Sequence, residues 1–312
     1  MPKKYNNKKF KVFLILIILI ILAGSYYGLY LIVKPKPIKN KTIKNKPIKN
    51  KPIESNEKIK ELVKKWVSEN NEVREIIIKE YGYISDWNTS RITDMSRMFQ
   101  NAYKFNQPIN NWDTSKVTNM DRMFLRAYSF NQPLNNWYTS KVTNMDSMFV
   151  NAYNFNQPLN NWDTSKVTNM DSMFNSALSY FNQPLNNWDT SKVSNMSRMF
   201  NNAIKFNQPL NNWNTSKVTR MDFMFSTASK FNQHLNNWDT SKVTNMAGMF
   251  GSAYNFNQPL NKWDTSKVTD MESMFHNAES FNQPLNNWDT SKVTRMNRMF
   301  DNSGCNIERC LG

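Results

Sequence analysis

The chain has 312 residues, 40 of them basic and 24 acidic, with only 2 histidines, 2 cysteines and 7 glycines. His234 and His276 each stand alone at positions that other residues fill elsewhere in the chain, and no His lies near the two cysteines, so neither a catalytic triad nor a metal cluster is expected; so few glycines exclude the Gly-rich calcium-binding β-solenoid repeat. The net charge of +16 is unevenly spread: residues 1–53 hold 13 lysines and no acid, residues 54–83 hold 6 basic and 7 acidic, and residues 84–312 hold 21 and 17. Residues 84–312 do carry one recurring basic position (Arg91, Lys116, Lys141 and equivalents), but an acidic one three residues upstream (Asp113, Asp163, Asp189) offsets it, so a nucleic-acid track is not expected.

Residues 1–9 form a basic N-terminal tail, and residues 10–33 are rich in Ile and Leu (FLILIILIIL). A run of this length is enough to cross a bilayer, so 10–33 is expected to be a transmembrane signal anchor in contact with lipid. Ala23 and Ser25 leave a cleaved signal peptide as the alternative, against which the apolar character continues through YYGLYLIV. Five lysines lie at its amino end, Lys3, Lys4, Lys8 and Lys9 before it and Lys11 just inside it, and eight follow it as far as Lys51, so charge alone would keep the carboxyl side in the cytoplasm.

Residues 34–53 repeat KPIKN and KTIKN, and regular Pro with dense like charge predicts an extended Lys/Pro-rich stalk. Residues 54–83 predict a helical N-terminal cap. Ile59, Leu62, Val63, Trp66 and Val67 recur at helical spacing, then Val73, Ile76, Ile77 and Tyr81 do so after a break at Asn70 and Asn71.

Residues 84–312 repeat. Trp87, Trp112, Trp137, Trp162, Trp188, Trp213, Trp238, Trp263 and Trp288 are spaced by 25 residues, with one step of 26 caused by an extra residue near Tyr180. A fixed period of this size predicts a repeat solenoid of about nine coils, each unable to bury its apolar side alone. The columns that stay apolar (Val117, Met120, Met123, Phe124, Phe130 and Leu134 in one coil) are the expected core. VTNM and LNNWDT read as short parallel strands. D-S-M-F-N-N-A between them, free of Pro and Gly, reads as a short helix, giving an α/β fold class. The Asn column (Asn106, Asn131, Asn156 and equivalents) is expected to be a buried ladder that satisfies backbone groups coil after coil.

V-T-N-M-D-S-M-F-N-N-A together with F-N-Q-P-L-N-N-W-D-T-S resembles the 25-residue repeat of mycoplasma surface proteins, a branch of the BspA-type leucine-rich-repeat family, over residues 84–303. The resemblance implies a leucine-rich-repeat-like solenoid on a single-pass protein of the cell membrane. The repeat domain would be extracellular and would bind a protein or glycan of host or neighbouring cells. Antigenic display without a specific ligand, and a cytoplasmic membrane-tethered scaffold, are the alternatives.

No catalytic residue, cofactor or metal site is expected, and the regular Asp column (Asp113, Asp163, Asp189) offers no differentiated carboxylate pair. The candidate partner-binding positions are those that vary from coil to coil beside the constant core: Arg97, Arg122, Arg198, Phe223 and Arg298 in one column, and Tyr103, Tyr128, Tyr153 and Tyr254 in a loop. Cys305 and Cys310 could form a disulfide that closes the last coil, or remain free thiols.

Overall fold

The first helix begins where Ser55 accepts the Lys58 N–H at 3.1 Å, an N-cap bond that satisfies one of the orphan amides of a helix start. In the computed structural model, which describes residues 51–68, 70–177 and 180–312, this helix is α1, Asn56–Val67, with Ile59, Leu62, Val63 and Trp66 on its buried face. Helix α2, Asn71–Tyr81, starts on Asn70, whose Oδ1 takes the Val73 N–H at 3.2 Å. It stops at Gly82, whose φ of +79° only glycine adopts without cost and whose N–H returns to the Ile78 carbonyl. A 3₁₀ turn, Ile84–Asp86, leads into the first coil, and a short α3, Ile307–Cys310, follows the last.

Helix α1 lies against the first coil. Asn56 Oδ1 accepts the amides of Thr93 and Asp94, Lys60 pairs with Asp94 at 2.6 Å, and Trp66 Nε1 donates to Gln107 at 2.7 Å.

The α/β expectation is overturned. Among the described residues there is no strand and no sheet: each coil touches the next through one isolated parallel bridge, from Asp94 with Asn119 to Asp270 with Arg295. The cause is local. In LNNWDT the chain turns twice, the Trp137 amide returning to Leu134 and the Val142 amide to Thr139, so those donors are not available to a neighbouring strand.

D-S-M-F-N-N-A is not a helix either. Two residues in each coil, such as Arg122 and Arg126, or Ser147 and Asn151, have φ near +55°. These left-handed residues turn alternate amides along the stack. Met120, Arg122, Phe124 and Arg126 donate to Asn144, Asp146, Met148 and Val150 at 2.8–3.0 Å, while the Met123 and Leu125 amides bond three residues back and the Asp121 amide donates to Asn119 Oδ1. Left-handed backbone costs about 1–2 kcal/mol for a residue with a side chain, and inter-coil hydrogen bonds of roughly 0.5–1.5 kcal/mol each offset it.

The apolar columns form the core. Met120, Met123, Phe124, Phe130 and Leu134 are all fully buried, and Trp137 is nearly so. The rings stack in register, Phe124 over Phe149 at 5.5 Å and Trp137 over Trp162 at 6.4 Å. Each buried indole is tied to the preceding coil, as where Trp137 Nε1 donates to the Ile109 carbonyl. The extra residue of the 26-residue step leaves this register intact, with Phe181 lying 6.2 Å from Phe155 and 6.1 Å from Phe206.

The single-pass membrane assignment is also corrected. Among the described residues no helix is long and apolar enough to cross a membrane, and residues 10–33, on which the assignment was placed, lie outside the described residues, as does nearly all of the 34–53 stalk.

Candidate functional site

With the core columns turned inward, two rows of variable side chains face outward. The first is the column of Arg97, Arg122, Arg198, Phe223 and Arg298, every member of which occupies one of the left-handed positions. Left-handed backbone at this point directs these side chains away from the core, over the column that follows Met120 and its equivalents. There they meet acids. Arg97 and Arg122 reach Asp121 at 3.6 and 3.7 Å, Arg122 also reaches Asp146 at 3.6 Å, and Arg198 reaches Asp222 at 3.9 Å.

The row is not one patch. Arg198 lies over the Phe223 ring at 5.5 Å, whereas Arg298 is paired with Asp301 and sits 3.3 Å from His276 Nε2. Arg220 makes a two-pronged contact with Asp222 at 3.0 and 3.2 Å. Arginines so occupied by neighbouring carboxylates are poor anchors for an outside anion.

The second row is the turn that carries the tyrosines. Tyr103 stacks on Tyr128 at 4.8 Å and Tyr128 on Tyr153 at 4.7 Å, forming a continuous aromatic strip over three coils. Tyr254 is separate from it, because Ile204 and Ser229 occupy the intervening column positions. Tyr103 is 47 % exposed and Tyr254 40 %.

Beside the tyrosines runs the asparagine ladder. Asn106 Oδ1 accepts the Asn131 amide at 2.9 Å, Asn131 that of Asn156 at 3.0 Å, and Asn156 that of Asn182 at 3.1 Å. The ladder satisfies backbone amides as expected, but it is not buried: Asn106 and Asn182 are exposed and Asn131 and Asn156 half-buried. The buried ladder is threonine. Thr114 and Thr164 are almost wholly enclosed, and their hydroxyls donate to the Tyr138 and Asp189 carbonyls of the following coils.

Three overlapping stretches of the chain, residues 63–180, 154–238 and 208–308, match the family described as Mycoplasma protein of unknown function, DUF285. The chain belongs to this family. No curated protein and no solved structure matches it.

The DUF285 match begins inside α1 and runs through every coil, so both outward rows lie within it. In this DUF285 chain the Asp column serves its own turns. Asp163 Oδ1 accepts the Ser165 amide at 3.0 Å, and the hydroxyl and amide of Ser165 hold its carboxyl below the usual carboxylate range. Asp113 and Asp189 are held down in the same way by Ser115 and Ser191. One carboxylate departs from this pattern: burial, and then Asp121 and Asp171 beside it, push Asp146 up against the Ser147 hydroxyl bond.

Among the described residues no group of three or more His, Cys, Asp or Glu is placed to hold a metal. Cys305 and Cys310 are joined by a disulfide, and the Cys310 carbonyl accepts the Leu285 amide at 2.7 Å, which fixes α3 to the last full coil.

Proposed function

We propose that this DUF285 protein is a non-catalytic, adhesin-like binding protein whose turn row, with Tyr103, Tyr128 and Tyr153, engages a protein or glycan of a host or neighbouring cell. The observation that carries the reading is the aromatic strip itself. Three tyrosines stacked at 4.7–4.8 Å on the outer turn are outside the core, and amphipathic rings held rigidly at a surface are recurrent anchors of recognition.

The non-catalytic part of the reading rests on equivalence. Each aspartate of the regular column is committed to the serine two residues on, and within that column no carboxylate pair is set apart as acid and base. Nucleic acid is left out of the reading because the arginines of the outward column, although at least partly exposed, lie within ion-pair distance of aspartates that offset their charge. Kinship with the BspA-type branch belongs to the same proposal and rests on the repeat motif.

The test is saturable binding of the full-length chain to a panel of purified host-surface proteins and glycans, repeated with the Tyr103→Ser, Tyr128→Ser, Tyr153→Ser triple variant. Serine stands in this column at position 229, so the variant keeps a residue that a coil already accepts. A ligand that is bound by the parent and lost in the variant supports the reading. Absence of any saturable ligand favours antigenic display instead.

A further inference from the structure

The extra residue of the 26-residue step brings Tyr180 to the turn surface, where it is 58 % exposed. It lies at a groove of about 390 Å³ whose other walls are Asn106, Ser129, Asn131, Asn154 and Asn156. Among the described residues no charged or aliphatic side chain lines this groove, which sets it apart from the arginine column.

The amides in it are oriented. Asn106 Oδ1 accepts both the Asn131 amide and Gln132 Nε2, Asn131 Oδ1 the Asn156 amide and Gln157 Nε2, and Asn156 Oδ1 the Asn182 amide and Gln183 Nε2. With each carbonyl oxygen engaged twice, the Nδ2 groups of Asn106, Asn131 and Asn156 have no hydrogen-bond partner among the described residues. They form a row of fixed donors at coil spacing. The Ser129 hydroxyl and the Asn154 amide add groups that both donate and accept.

We propose that this groove is a saccharide site that takes a neutral, linear, β-linked oligosaccharide, one sugar ring against each coil and a ring face against Tyr180. Sugar hydroxyl oxygens accept from the Nδ2 row, and the C–H face of a pyranose matches an exposed tyrosine ring, apolar in body and polar at the tip. An extended peptide fits less well, because the lining offers no pocket for a side chain and no charge for a terminus. An insertion in one coil of a repeat array is also where a binding feature is commonly added. The proposal rests on the binding reading above and names the ligand class and the place.

The experiment is calorimetric titration of the full-length chain with tetrasaccharides of β-linked glucose, N-acetylglucosamine and galactose, alongside Tyr180→Ala and Asn131→Asp. The second variant keeps an Oδ1 acceptor for the ladder and replaces the Nδ2 donors by a charged acceptor oxygen, and an unchanged circular dichroism spectrum and urea midpoint check that the fold is retained. Saturable binding of at least one tetrasaccharide, weakened about tenfold or more in both variants, is expected for loss of a ring stack or of a fixed donor. No binding of any of the three, or binding that Tyr180→Ala leaves unchanged, overturns the site. A protein ligand lost in the triple tyrosine variant, without saccharide binding, would sink the saccharide assignment and leave the binding reading standing; no saturable ligand of either kind would sink both.

Discussion

Trp162 Nε1 donates to the carbonyl of Leu134, 28 residues earlier, at 3.1 Å inside the core. The bond ties each coil to its predecessor from within, and it recurs as Trp188 to Leu159 and Trp213 to Leu185. Trp162→Phe retains a ring but strands a buried carbonyl, so it is expected to destabilise by about 1–3 kcal/mol. A urea midpoint unchanged from the parent would show that water or a shifted neighbour replaces the indole.

Gly248 is the one glycine in the left-handed Arg97 column, at φ +59°, and a Cβ there would lie 2.4 Å from the Phe223 ring of the preceding coil. Glycine and phenylalanine are therefore a matched pair. Gly248→Ala is expected to cost roughly 1–3 kcal/mol from left-handed strain and overpacking together. Combining it with Phe223→Ser, the residue found here at 147, 172 and 273, should recover part of that loss, as a double-mutant cycle on urea midpoints would show.

Much of the architecture was legible because nine copies in one chain separate constant from variable positions. The buried Met120, Phe124 and Phe130 columns were visible as columns that never turn polar, and α1 and α2 as two stretches of helical period around capping residues. The inner conformation of the coil was not legible. Met120, Met123, Phe124 and Ala127 satisfy a helical spacing, but turns that bond three residues back satisfy it too. The left-handed positions are held by Arg, Ser, Phe and Thr, which carry no signal. Asn at 101, 151, 202, 277 and 302, and Gly at 248, did carry one, since both residues tolerate positive φ. The Tyr180 groove was hidden for a different reason: the sequence located the extra residue, but not that Tyr180 shares a groove with asparagines of earlier coils.

Acid should act on two groups of aspartates in opposite directions. Asp163 and Asp189 titrate below the usual range because the hydroxyl and amide of Ser165 and Ser191 favour the charged form. The unfolded chain then takes up the proton first, so their contribution is fully present above the ordinary carboxylate range and is lost as pH falls through the depressed values. Asp146 is pushed up by burial first, then by Asp121 and Asp171. Its ionisation weakens the fold as pH rises through its range, and that cost persists at neutral pH. Asp146→Asn should therefore raise the urea midpoint at neutral pH and give no gain below the ordinary carboxylate range, whereas Asp163→Asn should lower it at neutral pH and lose its effect in acid. Identical pH profiles for the two variants would contradict these assignments.

The outer ladders on which the binding proposals rest depend on a coil built from paired left-handed residues rather than from a helix. The most direct measurement is the stability of Ser273→Gly, at φ +56° and with no side-chain hydrogen bond to lose among the described residues. Relief of left-handed strain outweighs glycine's extra freedom in the unfolded chain, so the account predicts a urea midpoint equal to or above that of the parent. A loss of about 1 kcal/mol, the cost of glycine in a helix interior, would contradict it.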